Sequence, residues 1–489
     1  MPTLMKSLMR MKMMNKIHKK KLAFAVVGIV SIALLLSGCI APPQIESDTG
    51  DWQGKDDFEI SNKRDEALLG RYNEYLENST LAFSAKEPAD GSFFEVEVVE
   101  GGVKIIGYVG SDTVVVVPEV IGEYAVVAIG AEAFSGSSIR AISLPDSITS
   151  IAKGAFAGCG TLSTMRLPFV GDGKDNKNFG YIFGADSYDK NALAVPTSLD
   201  MVILGDGVTE ISENAFAGCK SISAVVLPVD IESIGAFAFY ECKDLVFVSR
   251  NTAVKEIGNY AFGYCSELYK AEFLLAESIG FGAFYECDSL SAIGLPFVGG
   301  TATENRFIGY IFGAEAPEFN DNFVPRSLYS VSISARTCKD IPDRAFASCT
   351  YISEFIFDME IESIGTRAFY ACRSIQSITL PEGLKTIGDD AFFGCDNLVS
   401  VEFGDGIESI GMQAFYGCKK LESISLPDGV TEIRSSTFAL CSSLKTVELN
   451  NVNKVGKDAF FKCDSLTAVD CTGIEVADGN AALVLKDEQ

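Results

Sequence analysis

The sequence predicts a repeat solenoid of about fourteen coils, each of about 22–23 residues, with a short β-strand and an irregular or 3-10 convex side per coil and a β-hairpin capping its N-terminal end. Three observations predict it. A phenylalanine recurs at 134, 156, 216, 239, 262, 284, 346, 369, 392, 415, 438 and 460, spaced 22 or 23 residues apart except for gaps of 60 and 62. A cysteine stands three residues after eleven of these phenylalanines. Around them the pattern Leu-x-x-Ile-x-Leu-Pro alternates with Ile-x-x-Ile-Gly and Ala-Phe. So constant a period marks an array of stacked units rather than one globular core, which a chain of 489 residues would in any case exceed.

The elements follow in order. Residues 1–38 carry seven basic residues, no acidic one, and an apolar run from Leu22 to Leu36. That run has the length of a signal-peptide core and is short for a membrane span. Leu36-Ser37-Gly38-Cys39 then resembles the lipobox of prokaryotic lipoproteins, which implies cleavage before Cys39 and acylation of its thiol. The alternative is an uncleaved anchor over residues 22–41. Both place the rest of the chain outside the membrane. Cleavage leaves 33 basic against 66 acidic residues, a net charge of −33. Such a surface keeps a long array soluble and repels nucleic acid.

Residues 39–92 read as a polar tether, with Leu68, Leu69, Tyr72, Tyr75 and Leu76 at the spacing of one short helix. Residues 93–128 read as the cap: Phe94, Val96 and Val98 alternate with Glu95 and Glu97, and Glu100-Gly101-Gly102 turns the chain into Val103–Tyr108.

The array proper spans 129–471. In Leu421-x-x-Ile424-x-Leu426, the last two apolar residues lie on one side of a short strand. Pro427 ends it, since proline cannot donate to a ladder, and Pro427-Asp428-Gly429 makes the turn. The Ile-Gly and Ala-Phe segments return the chain, with successive phenylalanines stacked into a spine. Each long gap hides one enlarged coil, near 168–200 and 296–330. Both open on Leu-Pro-Phe-Val-Gly and contain Gly-Tyr-Ile-Phe-Gly-Ala, so Phe183 and Phe312 complete the fourteen. Residues 472–489 are left as a C-terminal tail.

Taken together, Ile-Gly-x-x-Ala-Phe-x-x-Cys-x-x-Leu-x-x-Ile-x-Leu-Pro and the two Leu-Pro-Phe-Val-Gly insertions resemble the BspA-like leucine-rich-repeat proteins, surface proteins of bacteria, archaea and some protozoa. The resemblance implies a leucine-rich-repeat fold and adhesion to host or matrix proteins or to other cells.

Chemistry is scarce by comparison. No Cys-x-x-Cys occurs, and the periodic cysteines occupy the asparagine-or-cysteine position of leucine-rich repeats, which predicts a ladder of mostly free, buried thiols. The only histidine, His18, lies in the leader, so no histidine-based triad or histidine-ligated metal remains. No cofactor or metal is expected, and the chain reads as no enzyme. Binding is what the residues support: an extracellular protein or glycan partner, a membrane link through Cys39, and no nucleic acid. Outward strand positions are mostly Ser, Thr, Ala and Glu. Phe247, Arg250, Tyr269 and Lys270 differ, falling at outward or strand-end positions of neighbouring coils, where a binding hot spot competes with packing against the flank. Tyr188 and Phe319 fall in the enlarged coils, which are expected to protrude. A self-associating structural protein of the cell envelope is the alternative function.

Overall fold

The computed structural model describes residues 83, 86–248, 253–334, 338–467, 469–471, 473–480 and 483–484. The leader, Cys39, the helix expected in the tether and Arg250 lie outside the described residues. The architecture below belongs to the unit Ala85–Gln489.

Each coil contributes one rung to each of two parallel ladders. Ser423–Ser425 exemplifies the first: Leu421, Ile424 and Leu426 are buried while Ser423 and Ser425 face outward, the period of two that a strand imposes. After Pro427 the Val430 N–H closes the turn on the Pro427 carbonyl at 3.0 Å. The chain then enters Glu432–Ile433 of the second ladder, burying Ile433. In the first ladder Val114–Val116, Ala141–Ser143, Thr164–Leu167, Met201–Leu204, Ala224–Val226 and Phe247–Val248 pair side by side without a break. Lys270–Glu272 to Glu354–Phe357 continue it.

The first ladder has sixteen rungs among the described residues, two more than the phenylalanines count. One is Val114–Val116, inside the segment expected to be cap; the other is Leu483–Val484, which pairs with Val469–Asp470 inside the expected tail. Glu475–Val476 likewise extends the second ladder beyond residue 471. These rungs pair through the backbone without a spine phenylalanine of their own, so the phenylalanine count passes over them.

The cap is built from β1 (Phe94–Val99) and β2 (Gly102–Tyr108), an antiparallel hairpin with a bulge at Glu95/Val96. β2 runs parallel to β3 (Tyr124–Ile129), so the hairpin closes the second ladder. Phe94 and Tyr108 rest on Phe134, with ring centroids 6.5 and 5.7 Å away, and end the aromatic spine.

Along that spine the rings of Phe346, Phe369, Phe392, Phe415, Phe438 and Phe460 stack face to face at 5.0–5.5 Å with interplanar angles of at most 14°. Their backbones are tied as well: the Phe392 N–H donates to the Ala414 carbonyl at 2.7 Å, and the same bond recurs coil after coil. The first enlarged coil departs from expectation. Phe183 meets Phe156 at 6.2 Å, but it is Phe179 that packs on Phe216, at 4.7 Å. In the second, Ile308 takes the place of Phe179, since both N–H groups donate to the alanine ahead of the next spine phenylalanine, at 2.9 Å.

Glycine sets how closely the coils approach. A Cβ on Gly235, Gly258, Gly280, Gly365, Gly388, Gly411 or Gly456 would stand 2.3–2.8 Å from backbone atoms of the preceding coil, which no side chain tolerates without moving two coils apart. The glycine N–H meanwhile bonds the isoleucine carbonyl one coil back, as Gly411 does to Ile387 at 2.8 Å.

Urea unfolding of single variants checks this arrangement. Phe415→Ala costs about 3 to 5 kcal/mol through the cavity it opens, and Gly411→Ala about 1 to 3 kcal/mol through overpacking. Gly417→Ala, whose Cβ meets nothing closer than 4.0 Å but whose φ is +71°, costs about 1 kcal/mol. Equal losses for the two glycines would show that close approach is not what Gly411 provides.

Candidate functional site

The interior is committed to packing, and its thiols show how. The Cys395 Sγ–H donates to the Phe369 carbonyl at 3.2 Å, and Cys242, Cys265, Cys372, Cys418 and Cys441 each reach the corresponding phenylalanine carbonyl one coil earlier at 3.0–3.4 Å. The thiol is small enough for the space and supplies the one weak donor that carbonyl still lacks. All thirteen cysteines of the described residues are buried, and no disulfide joins them. Burial pushes the Cys395 and Cys463 thiols up to about 12 and raises those of Cys219, Cys265 and Cys372 strongly. They stay protonated at neutral pH and are unfit as nucleophiles or metal ligands. Among the described residues no three His, Cys, Asp or Glu side chains are grouped to hold a metal ion.

Each enlarged coil carries a buried asparagine, which bonds forward to the next coil where the cysteines bond back to the preceding one. Asn191 and Asn320 are fully buried, and their Nδ2 groups donate to the carbonyls of Ala217 at 2.9 Å and Ala347 at 3.1 Å. Asn320 Oδ1 also accepts from the Gly309 N–H at 3.0 Å. These two residues escaped the sequence reading, although the signal was present: each lies eight residues after its coil's Gly-Tyr-Ile-Phe phenylalanine. They anchor the short helical turns Tyr188–Lys190 with Asn191–Ala194 and Pro317–Phe319 with Asn320–Phe323. The first ladder runs through both enlarged coils unbroken, so the extra residues emerge only on the flank and the back.

On the flank that excess makes a groove of roughly 670 Å³. Its floor is the second ladder at Ser233–Ile234, Glu256–Ile257 and Ser278–Ile279 with the glycines that follow, and its end wall is the loop of the second enlarged coil, with Gly300, Thr301, Glu304, Asn305 and Tyr310. The wall is fastened to the floor by the Ile279 N–H bonding the Gly300 carbonyl at 2.8 Å. Glu210, Glu256 and Glu304 line it, and no Lys, Arg or His does. Phe237 and Tyr260 stand two residues after Gly235 and Gly258 of their coils, and Phe281 one residue after Gly280.

The pattern of the BspA type leucine rich repeat region matches residues 119–174, 187–308, 320–385 and 363–476 in six copies, more than half of the chain. The chain belongs to the BspA-type leucine-rich repeat family. Among solved structures this BspA-type array is similar to a leucine-rich repeat protein from Bacteroides ovatus, at 21% identity over 80% of this chain and 98% of that one with a TM-score of 0.32. It is also similar to a leucine rich cell surface protein from Faecalibacterium prausnitzii, at 24% identity over 74% and 95% with a TM-score of 0.30. Among curated proteins none matches it.

The residues singled out for binding are scattered over this repeat surface. Phe247 lies at an outward strand position, half-buried, two rungs from the enlarged coil. Tyr269 and Lys270 lie one coil further, also half-buried, and Lys270 Nζ is paired within its own strand to Glu272 at 2.7 Å. Tyr188 and Phe319 are exposed, each on the short helical turn of its enlarged coil. The structure therefore separates the enlarged-coil residues from the strand residues, and the groove flank uses neither set.

The thiol ladder makes an alkaline limit. An unfolded cysteine loses its proton near pH 9, while the folded Cys395 and Cys463 keep theirs to about 12. Above pH 9 the unfolded state thus binds fewer protons than the folded one, and stability falls as pH rises. The urea midpoint is expected to be insensitive to these thiols below pH 8 and to drop between pH 9 and 11. At pH 8 a maleimide should label them only after denaturant is added; rapid labelling of the native protein contradicts the arrangement.

Proposed function

We propose that this BspA-type array is a non-catalytic adhesion or ligand-binding protein, exported and held at the cell surface by a lipid on Cys39, that recognises extracellular protein or glycan through its outer faces. The observation that carries the reading is the division between inside and outside. Phenylalanine, isoleucine, glycine and cysteine of each coil are consumed in holding its neighbours, while the outward residues of the later strands, Ser377, Thr379, Ser400, Glu402, Ser423 and Ser425, lie open to solvent. The enlarged coils add exposed apolar side chains, Tyr188, Leu193 and Phe319, on rigid turns. Apolar side chains held on an ordered scaffold lose little freedom when a partner covers them. For export, the support is the basic leader, the apolar run of 22–36 and Leu36-Ser37-Gly38-Cys39. Two or more acyl chains on one cysteine would hold the protein stably at a bilayer.

Expression in a bacterial host tests both halves. Wild-type protein is expected in the membrane fraction, labelled by radioactive palmitate and starting at Cys39. Cys39→Ser is expected to lose the label and accumulate as uncleaved precursor; an unlabelled wild-type chain that keeps residues 1–38 in the membrane would instead establish the uncleaved anchor. Cells displaying the wild type should adhere to immobilised matrix proteins or to host cells. Tyr188→Ser with Phe319→Ser should lower adhesion if the enlarged coils contact the partner. Clustering of the displaying cells with no adhesion to any surface would favour a self-associating envelope protein.

A further inference from the structure

We infer that the outer edge of β1, at the N-terminal end of the second ladder, binds an extended segment of another protein that alternates basic and apolar side chains, adding it as one further strand; this rests on the surface-binding reading and names a site and a partner chemistry for it. The rest of this end of the array is taken up. The Ala89 N–H donates to the Val116 carbonyl at 2.8 Å and so meets the first strand of the first ladder. Phe94 and Tyr108 lie on Phe134 between the ladders. In the second ladder β1 pairs with β2 on one side, and no strand of the described residues pairs with its other side.

An edge strand states what can cover it. Its outward N–H and C=O groups need hydrogen-bonding partners spaced along the strand, which either water or another strand supplies. β1 is suited to the second. It is six residues long and holds no proline. The residue left over at the bulge is Ile106 on β2, between the pairs Glu95–Gly107 and Val96–Ile105, so β1 itself keeps an unbroken pleat.

The side chains of β1 select the partner. Val96 and Val98 stand opposite Ile105 and Val103, which are fully buried, so both valines lie on the core side of the sheet. They are nevertheless 37% and 65% exposed, because the core ends one strand earlier. Glu95 and Glu97 alternate with them on the other face and are exposed. Glu97 pairs with Lys104 of β2, whereas the cross-strand partner of Glu95 is Gly107, which offers no charge. A strand laid beside β1 at ~4.7 to 4.9 Å sets its side chains alternately against the two valines and the two carboxylates. Apolar residues at every second position extend the core over Val96 and Val98, and basic residues between them meet Glu95 and Glu97. A second copy of β1 fits poorly: in the antiparallel registers that overlap most of both strands, its own glutamates would stand opposite these carboxylates.

Fluorescence anisotropy with the full-length protein and a labelled, end-capped octapeptide alternating Lys and Val tests the inference. This peptide should bind, and the same peptide with Glu in place of Lys should not. Methylating the alternate backbone nitrogens along one of its edges should abolish binding by removing the donors that pair with β1, while methylating the other edge should leave it intact. Glu95→Lys with Glu97→Lys should weaken the Lys peptide about tenfold or more and admit the Glu peptide. Val96→Thr with Val98→Thr, which keeps β-branched side chains, should weaken binding of the Lys peptide, and Ser423→Arg on the first ladder should change nothing. Circular dichroism confirms that each variant folds. By hydrogen exchange, alternate amides of β1 should exchange fast in the free protein and slow once peptide is bound. Failure of the Lys peptide to bind, equal binding of the Glu peptide, indifference to the charge reversal, or full protection of β1 before peptide is added would each overturn the inference. So would a dimer of the protein that excludes the peptide and dissociates in the Val96→Thr, Val98→Thr variant. Adhesion of displaying cells that survives the charge reversal but is lost with Tyr188→Ser and Phe319→Ser would overturn this site while leaving the wider surface-binding reading standing.

Discussion

The closeness with which one coil's backbone can approach the next governs the rest of this molecule. At the Ile-Gly step two coils come together until a single methyl group would not fit. That approach brings the glycine N–H to the isoleucine carbonyl and the phenylalanine N–H to the alanine carbonyl of adjacent coils. It also sets the separation at which flat rings stack, 5.0–5.5 Å in the C-terminal half. Larger side chains at glycine or alanine would spread the coils and weaken all three interactions together. The repeat motif is the list of residue types that this one distance permits.

The same constraint decides where chemistry is possible. With the thiols donating to backbone carbonyls and shielded from water, a cysteine count that would suggest redox or metal function elsewhere becomes part of the framework. Function is left to the outer faces and to the coils that break the period. Both enlarged coils keep their first-ladder strand in register and release their additional residues on the flank, so they create relief without cutting the array. Asn191 and Asn320 tie these longer segments to the following coil through the carbonyls of Ala217 and Ala347.

Most of the fold was legible in the sequence because each coil repeats the demands of its neighbours, so one error in reading a coil is corrected by the next. The hairpin from Phe94 to Tyr108 was legible too, from simple alternation about Gly101-Gly102. What the sequence concealed lay where repetition stops. The first and last rungs, Val114–Val116 and Leu483–Val484, pair through the backbone and carry no spine phenylalanine to mark them. Phe179 displaced Phe183 as the ring facing Phe216 because the longer coil enters the spine at a different point. The candidate site was the least legible part. Lys270 looked available as a cation but is held by Glu272 within its own strand. The groove arises from a turn position, after each Ile-Gly, whose residues vary from coil to coil and share no alternation with the strands.

Hydrogen exchange followed by mass spectrometry on the intact protein tests the central claim most directly, since the claim concerns which backbone amides face another coil. Slow exchange should recur every 22 or 23 residues outside the two enlarged coils, wherever an Ile-Gly glycine or an Ala-Phe phenylalanine occurs between Phe134 and Phe460, with faster exchange at Lys174 and Thr303, whose amides bond only side chains of their own flank loops. Protection gathered into one continuous block, or absent from those glycines and phenylalanines, would contradict an array held together by coil-to-coil contact.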